Sequence, residues 1–184
     1  MFIIKKKYYF YIDNTKSINL NSIKKNSKIV IIYRNQSYNE SIENILKFKK
    51  NCKRLKIKFF ISNNIYLARK IRADGLYVSS YNQKIYKNIN VIGSAHNYKE
   101  INHKIKQGCR TIILSRLFKT AYKNKKSYYG ILKFNLIFQQ YGLNLIPLGG
   151  INNKNLLKIN LIKSDGFGIL SSVKKKPAIA NRLF

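Results

Sequence analysis

Apolar runs of strand length alternate with helical spacings along most of this chain. Residues 28–33 (KIVIIY) carry an unbroken apolar run, the sign of a strand buried on both faces. Similar runs fall at Tyr8–Ile12, Ile57–Ile61, Gly75–Val78, Asn90–Ile92, Thr111–Leu114, Leu143–Leu148 and Phe167–Leu170. Helical spacing separates several of them. Ser41–Leu55 places Ile42, Ile45, Leu46 and Cys52 on one face, with Glu43 four residues before Lys47, a favourable pairing on a helix. Ile65–Ile71, Tyr98–Lys106 and Tyr129–Tyr141 read as further helices, Leu20–Lys25 as a brief helical turn, and Leu156, Leu157 and Ile159 as a short helical pattern. Alternation of this kind predicts a parallel α/β sheet with right-handed crossovers. An open doubly wound sheet is the alternative; eight units favour closure into a (β/α)8 TIM barrel.

The stretch from Asn144 to Val173 carries the first chemical signal. A strand ends at Gly149-Gly150, a helical pattern follows, and Ser164-Asp165-Gly166 leads into a second strand closed by Ser171 and Ser172. Glycines at a strand end let a ligand approach the backbone, because no Cβ stands in the way. Backbone N–H groups and a following helix N-terminus then favour a phosphate. Two such units side by side make the usual phosphate pocket of a (β/α)8 barrel, after its seventh and eighth strands. The plainer alternative is a tight Gly-Gly turn and a serine helix cap.

At 184 residues the chain suits one domain, residues 1–184, and is somewhat short for a complete barrel of this kind, so its helices or loops must be trimmed. Cys52 and Cys109 stand far apart, with no CxxC motif or Cys/His cluster. That argues against structural zinc or a disulfide framework and fits a reducing cytoplasm. No apolar run reaches membrane-span length, so the expectation is a soluble cytoplasmic protein without a membrane partner. The formal net charge is +31, from 37 Lys plus Arg against 6 Asp plus Glu. Such a field attracts polyanions, yet the lysines spread along the whole chain. Heavy use of Ile, Asn, Lys and Tyr points to compositional drift ahead of a dedicated nucleic-acid surface. With so few acids, a mechanism needing several carboxylates has few places to find them.

Five segments in register resemble the thiamine-phosphate synthase and thiazole tautomerase superfamily. They are residues 59–80 (FFISNNIYLARKIRADGLYVSS), 92–100 (IGSAHNYKE), 115–123 (SRLFKTAYK), 147–155 (PLGGINNKN) and 164–173 (SDGFGILSSV). The resemblance covers roughly residues 28–173 and implies the same barrel, phosphorylated small-molecule substrates and a transferase of thiamine biosynthesis. In the synthase, a hydroxymethylpyrimidine diphosphate loses pyrophosphate with the help of Mg2+, and a thiazole phosphate captures the resulting cation. By resemblance, Arg34 takes the family's diphosphate arginine, a role suited to bidentate phosphate binding. Thr120 and Lys123 fall on the loop whose threonine and lysine hold the diphosphate. Gly149, Gly150, Ser171 and Ser172 fall on the thiazole-phosphate loops.

The chain departs from the family where the metal would bind. Ser62-Asn63 replaces an Asn-Asp pair, Asn82 stands where a magnesium-binding aspartate is expected, and Gln36 replaces a lysine. Amide oxygens can ligate Mg2+ but lack the negative charge this hard cation prefers, which weakens the case for metal-assisted loss of pyrophosphate. His96, just past the fifth strand, stands where the tautomerase branch carries its catalytic histidine. A histidine can move a proton on a bound heterocycle without a metal, so a metal-independent thiazole tautomerase is the second reading. A non-catalytic barrel binding a phosphorylated ligand or RNA is the third. His103 reads as a surface or packing residue. Trimmed helices leave room for a homodimer that covers apolar surface.

Overall fold

The computed structural model describes residues 6–23, 28–35, 40–120 and 127–169. Its strands are β1 (Lys7–Ile12), β2 (Ile29–Tyr33), β3 (Lys58–Ser62), β4 (Gly75–Val78), β5 (Val91–Ala95), β6 (Thr111–Ser115), β7 (Asn144–Leu148) and β8 (Gly166–Ile169). Each pairs in parallel with the next, and β8 pairs with β1, closing the barrel. This is the (β/α)8 architecture that the eight alternating units predict.

Both faces of the strands are buried because one set of side chains fills the barrel and the other meets the outer layer. Tyr9 and Tyr11 of β1, Val30 and Ile32 of β2, Phe60 of β3, Tyr77 of β4, Ile92 of β5, Ile113 of β6, and Ile146 and Leu148 of β7 form the inner cluster. Tyr8, Phe10, Ile31, Phe59, Ile112 and Phe167 belong to the larger outer cluster, with helix residues such as Ile45, Ile101 and Phe134. The period of two thus sorts each strand between two cores. Tyr11 and Tyr77, on strands that are not neighbours, meet edge to face with ring centroids 5.5 Å apart, so aromatic rings plug the interior.

The outer helices are α1 (Ile42–Arg54), α2 (Ile65–Lys70), α3 (Tyr98–Lys106) and α4 (Gly130–Tyr141). Side-chain oxygens of Ser41, Asn64 and Asn97 cap the first three by accepting backbone N–H groups. These satisfy donors that a helix start otherwise leaves unpaired. The helical turn expected at Leu20–Lys25 is a three-residue 3-10 turn, Leu20–Ser22, and Lys24 and Lys25 lie outside the described residues. The pattern after β7 is also 3-10, Leu156–Leu161, with only Ile159 buried. Leu157 and Leu161 stay exposed, so this segment lacks the apolar stripe that docks a full α-helix. No helix follows β4 in residues 79–90.

Candidate active site at the barrel mouth

The C-terminal ends of β2, β3 and β4 enclose a cavity of about 580 Å³ lined by Arg34, Ser62, Asn63, Tyr81, Asn82 and Lys84, among others. Arg34 follows β2, and its backbone N–H donates to the Ile12 carbonyl at 2.7 Å. Its guanidinium also acts on Tyr11 below. Burial and the neighbouring Tyr77 phenol push the Tyr11 hydroxyl well above its ordinary range, and Arg34 opposes them. Arg34, Asn63 and Asn82 therefore line one cavity.

The two asparagines touch each other. Asn82 Nδ2 donates to Asn63 Oδ1 at 3.0 Å. The Ser79 N–H donates to Asn63 Oδ1 at 3.1 Å, and the Lys84 N–H donates to Asn82 Oδ1 at 3.0 Å. These backbone donors orient both amides, since a flipped amide would set N–H against N–H. Asn63 Nδ2 donates to Ser79 Oγ at 3.0 Å, and Asn82 Nδ2 also donates to Tyr86 Oη at 3.1 Å. Asn63 adopts φ of 55°, a left-handed conformation that asparagine tolerates better than most residues.

Below this pair, Lys104 of α3 is fully buried. Its Nζ donates to the Asn82 carbonyl at 2.7 Å and to Gln107 Oε1 at 2.8 Å. Gln107 Nε2 donates to the Asn82 and Lys84 carbonyls, each at 2.9 Å. Burial lowers the Lys104 pKa, with Cys109 and Glu100 acting in the opposite sense. Sequence reasoning misses Lys104, because a lysine within an amphipathic helix ordinarily reads as surface.

The residues at the Mg2+ position do not fit that ion. The two amides spend their oxygens on N–H donors, and the Asn82 carbonyl is held by an ammonium and an amide. The chain's carboxylates are committed or placed elsewhere. Glu40 accepts from Thr15 and Tyr33, Asp74 pairs with Lys49, and Glu100 serves His96 and Asn97. Asp13 accepts from Ser17, Glu43 begins α1, and Asp165 precedes β8. Hard divalent cations prefer anionic oxygen; among the described residues no carboxylate lines this cavity, and Glu40 on the β2–α1 loop is held by Thr15 and Tyr33.

His96 is exposed just past β5. Its backbone is clamped from both sides: its N–H donates to Glu100 Oε2 at 2.8 Å, and its carbonyl accepts from Tyr129 Oη at 2.6 Å. The imidazole of His103, by contrast, has a buried Nε2 without a hydrogen-bond partner among the described residues.

A second group gathers at the ends of β6 and β7. The Leu117 N–H donates to the Leu148 carbonyl at 2.9 Å and the Phe118 N–H to the Gly149 carbonyl at 3.1 Å. Arg116 lies over Gly149, where an added Cβ would sit 3.1 Å from its Cγ, and its Nη1 donates to Thr120 Oγ1 at 3.1 Å. Gly150 has φ of 72°, and a Cβ there would meet the Phe118 carbonyl oxygen at 2.5 Å. Glycine is thus required at Gly150 by both conformation and space. Thr120, Gly149 and Gly150 are brought together, joined by Arg116, whose position right after β6 was the available signal. Leu148 pairs with Gly168, so β7 and β8 run side by side toward the mouth. Lys123, Ser171 and Ser172 lie outside the described residues.

Over residues 2–173 the sequence matches the family described as thiamine monophosphate synthase. It is similar to the thiamine-phosphate synthase of Flavobacterium psychrophilum, 30% identical over 137 residues that cover 67% of this chain and 66% of that protein. It is 26% identical over 142 residues to the thiamine-phosphate synthase of Prochlorococcus marinus, covering 73% of this chain and 41% of that protein. The chain spans about two fifths of the length of the Prochlorococcus relatives. Among solved structures, a thiamine phosphate pyrophosphorylase from Pyrococcus furiosus superposes with a TM-score of 0.77 at 15% identity, over 97% of this chain and 92% of that one. A 3-keto-L-gulonate-6-phosphate decarboxylase from Vibrio cholerae gives 0.66 at 15% identity, over 97% and 95%. At such identities the structural likeness is one of fold.

Proposed function

The chain belongs to the thiamine monophosphate synthase family, and from that premise we propose that it joins a hydroxymethylpyrimidine diphosphate to a thiazole phosphate. The bond between the pyrimidine methylene carbon and the diphosphate oxygen breaks, and its electron pair leaves with pyrophosphate. The thiazole nitrogen donates its lone pair to the methylene cation, forming the new C–N bond of thiamine phosphate. The observation that carries this reading is the pair of basic groups at one barrel mouth: Arg34 beyond β2, and Arg116 over the Gly149-Gly150 turn beyond β7. Two substrates that each bring a phosphoryl group need two such places. Arg34, Thr120 and Lys123 are assigned to the diphosphate, and Gly149, Gly150, Ser171 and Ser172 to the thiazole phosphate. Guanidinium groups suit phosphate oxygens because they donate in a planar fork. Enclosure between two anion grips holds the nucleophile against the cation, and proximity of that kind supplies much of a two-substrate enzyme's rate.

The clamped backbone of His96 favours a second reading, thiazole tautomerase chemistry, because it presents an exposed imidazole at the same mouth. There His96 would move the proton of a single bound thiazole phosphate. Incubation with both substrates, read by mass spectrometry, separates the two. Thiamine phosphate formation that survives in His96→Ala supports the synthase. Isomerised thiazole without coupling, lost in His96→Ala, supports the tautomerase. Absence of either product removes both, and RNA affinity that falls steeply with salt would then favour a binding role.

A further inference from the structure

We infer that the cavity at the ends of β2, β3 and β4 takes a diphosphate-class anion without a divalent cation, with Lys84 and Arg34 supplying the positive charge. The inference rests on the synthase reading for the identity of the anion. Its physical basis is the local hydrogen bonding. Asn63 and Asn82 are locked together by the 3.0 Å amide contact, and each amide oxygen is oriented by a backbone N–H, from Ser79 and from Lys84. A metal ion entering between them would have to displace those donors and would gain only neutral oxygens in return.

The same contacts place the replacement charge. The Lys84 N–H to Asn82 Oδ1 bond turns the chain back two residues after Asn82, a short asparagine-centred turn. It sets Lys84 in the wall of the cavity that Arg34 also lines. Neither Asn63 nor Asn82 brings a charge to this wall, and among the described residues no carboxylate lines it. Two carboxylates with a divalent ion between them carry no net charge, and two amides without one carry none either. Lys84 then adds a positive charge that a diphosphate meets directly. Lys104 and Gln107 hold the carbonyls of Asn82 and Lys84 from beneath, so the turn is a braced part of the barrel.

Calorimetric titration of the full chain with inorganic pyrophosphate, in EDTA and in millimolar Mg2+, tests this directly. The expected result is the same Kd in both within about twofold, weakened roughly tenfold in Lys84→Ala, the size of one charge-assisted contact. The Lys84 side chain is exposed, so its removal leaves the fold intact. The double variant Asn63→Asp/Asn82→Asp should lose pyrophosphate binding in EDTA and regain it with Mg2+. Wild-type affinity that rises tenfold or more with Mg2+, or unchanged affinity in Lys84→Ala, overturns the inference and leaves the synthase reading standing. Failure of pyrophosphate to bind under either condition overturns both.

Discussion

Lys104 Nζ lies 2.7 Å from the carbonyl oxygen of Asn82, so a buried ammonium supports the loop that carries half of the amide pair. Lys104 also packs its aliphatic stem against Gly93 of β5, where a Cβ would come within 3.0 Å of Lys104 Cγ. The lysine thus couples α3, β5 and the β4 loop.

Lys104→Met should loosen this loop by leaving Gln107 Oε1 without its donor, costing about 1–3 kcal/mol. The pH dependence gives a sharper sign. Burial lowers the Lys104 pKa in the folded protein from its ordinary 10.5, so the unfolded chain holds more protons in the interval just below 10.5. Stability contributed through Lys104 therefore rises with pH across that interval. Urea unfolding of wild type and Lys104→Met at pH 7.5 and pH 10 should show the wild type gaining on the variant at the higher pH. A constant difference would mean that the lysine titrates normally.

The two thiols should be inert in the folded protein. Burial pushes Cys52 up to about 12 and Cys109 up to about 11, against an ordinary 9.0. Because the thiolate is the reactive form, alkylation at pH 8 should run roughly two to three decades slower in the native protein than in urea. Both native pKa values lie above the unfolded value, so their contribution to stability is full below pH 9 and declines as pH rises beyond it. This opposes the Lys104 trend; the Cys52 part is shared by wild type and Lys104→Met, whereas Cys109 loses the lowering influence of Lys104 in the variant. Rapid iodoacetamide labelling of the folded protein would contradict the burial of both cysteines.

Gly150→Ala should destabilise by at least about 1–2 kcal/mol, the cost of a left-handed backbone for a residue with a Cβ, with contact against the Phe118 and Lys119 carbonyl oxygens added. The same substitution should weaken thiazole phosphate binding, because the β6 and β7 loops must part. Thermal unfolding and calorimetry with thiazole phosphate check the two effects separately.

Asn97→Ala should cost about 1 kcal/mol through loss of the α3 cap. Asn97 Oδ1 accepts from the Glu100 N–H at 2.9 Å, and Asn97 Nδ2 donates to Glu100 Oε1 at 2.8 Å, so Glu100 is also released. Glu100 holds the His96 N–H, so the variant should perturb the His96 imidazole signals in NMR. Unaltered histidine resonances would show that the clamp does not govern the ring.

The period of the apolar runs carried the strand count. Runs such as 28–33 are buried on both faces, so their spacing gave eight units, which favoured closure over an open doubly wound sheet; the β8–β1 pairing decided it. The glycine turn at Gly149-Gly150 was legible for the same reason, because local backbone freedom is written in the residue type. The pattern at Leu156–Ile159 misled slightly, since one buried position per turn does not distinguish a 3-10 segment from an α-helix. Only the tertiary structure could decide the character of the β3–β4 cavity. Sequence shows that Asn63 and Asn82 are neutral, but their hydrogen-bonding directions depend on backbone N–H groups of Ser79 and Lys84. The lysine beneath them comes from α3, which follows β5, the next strand along the chain. Contacts between residues some twenty positions apart arise from the side-by-side pairing of β3, β4 and β5, and no local pattern encodes them.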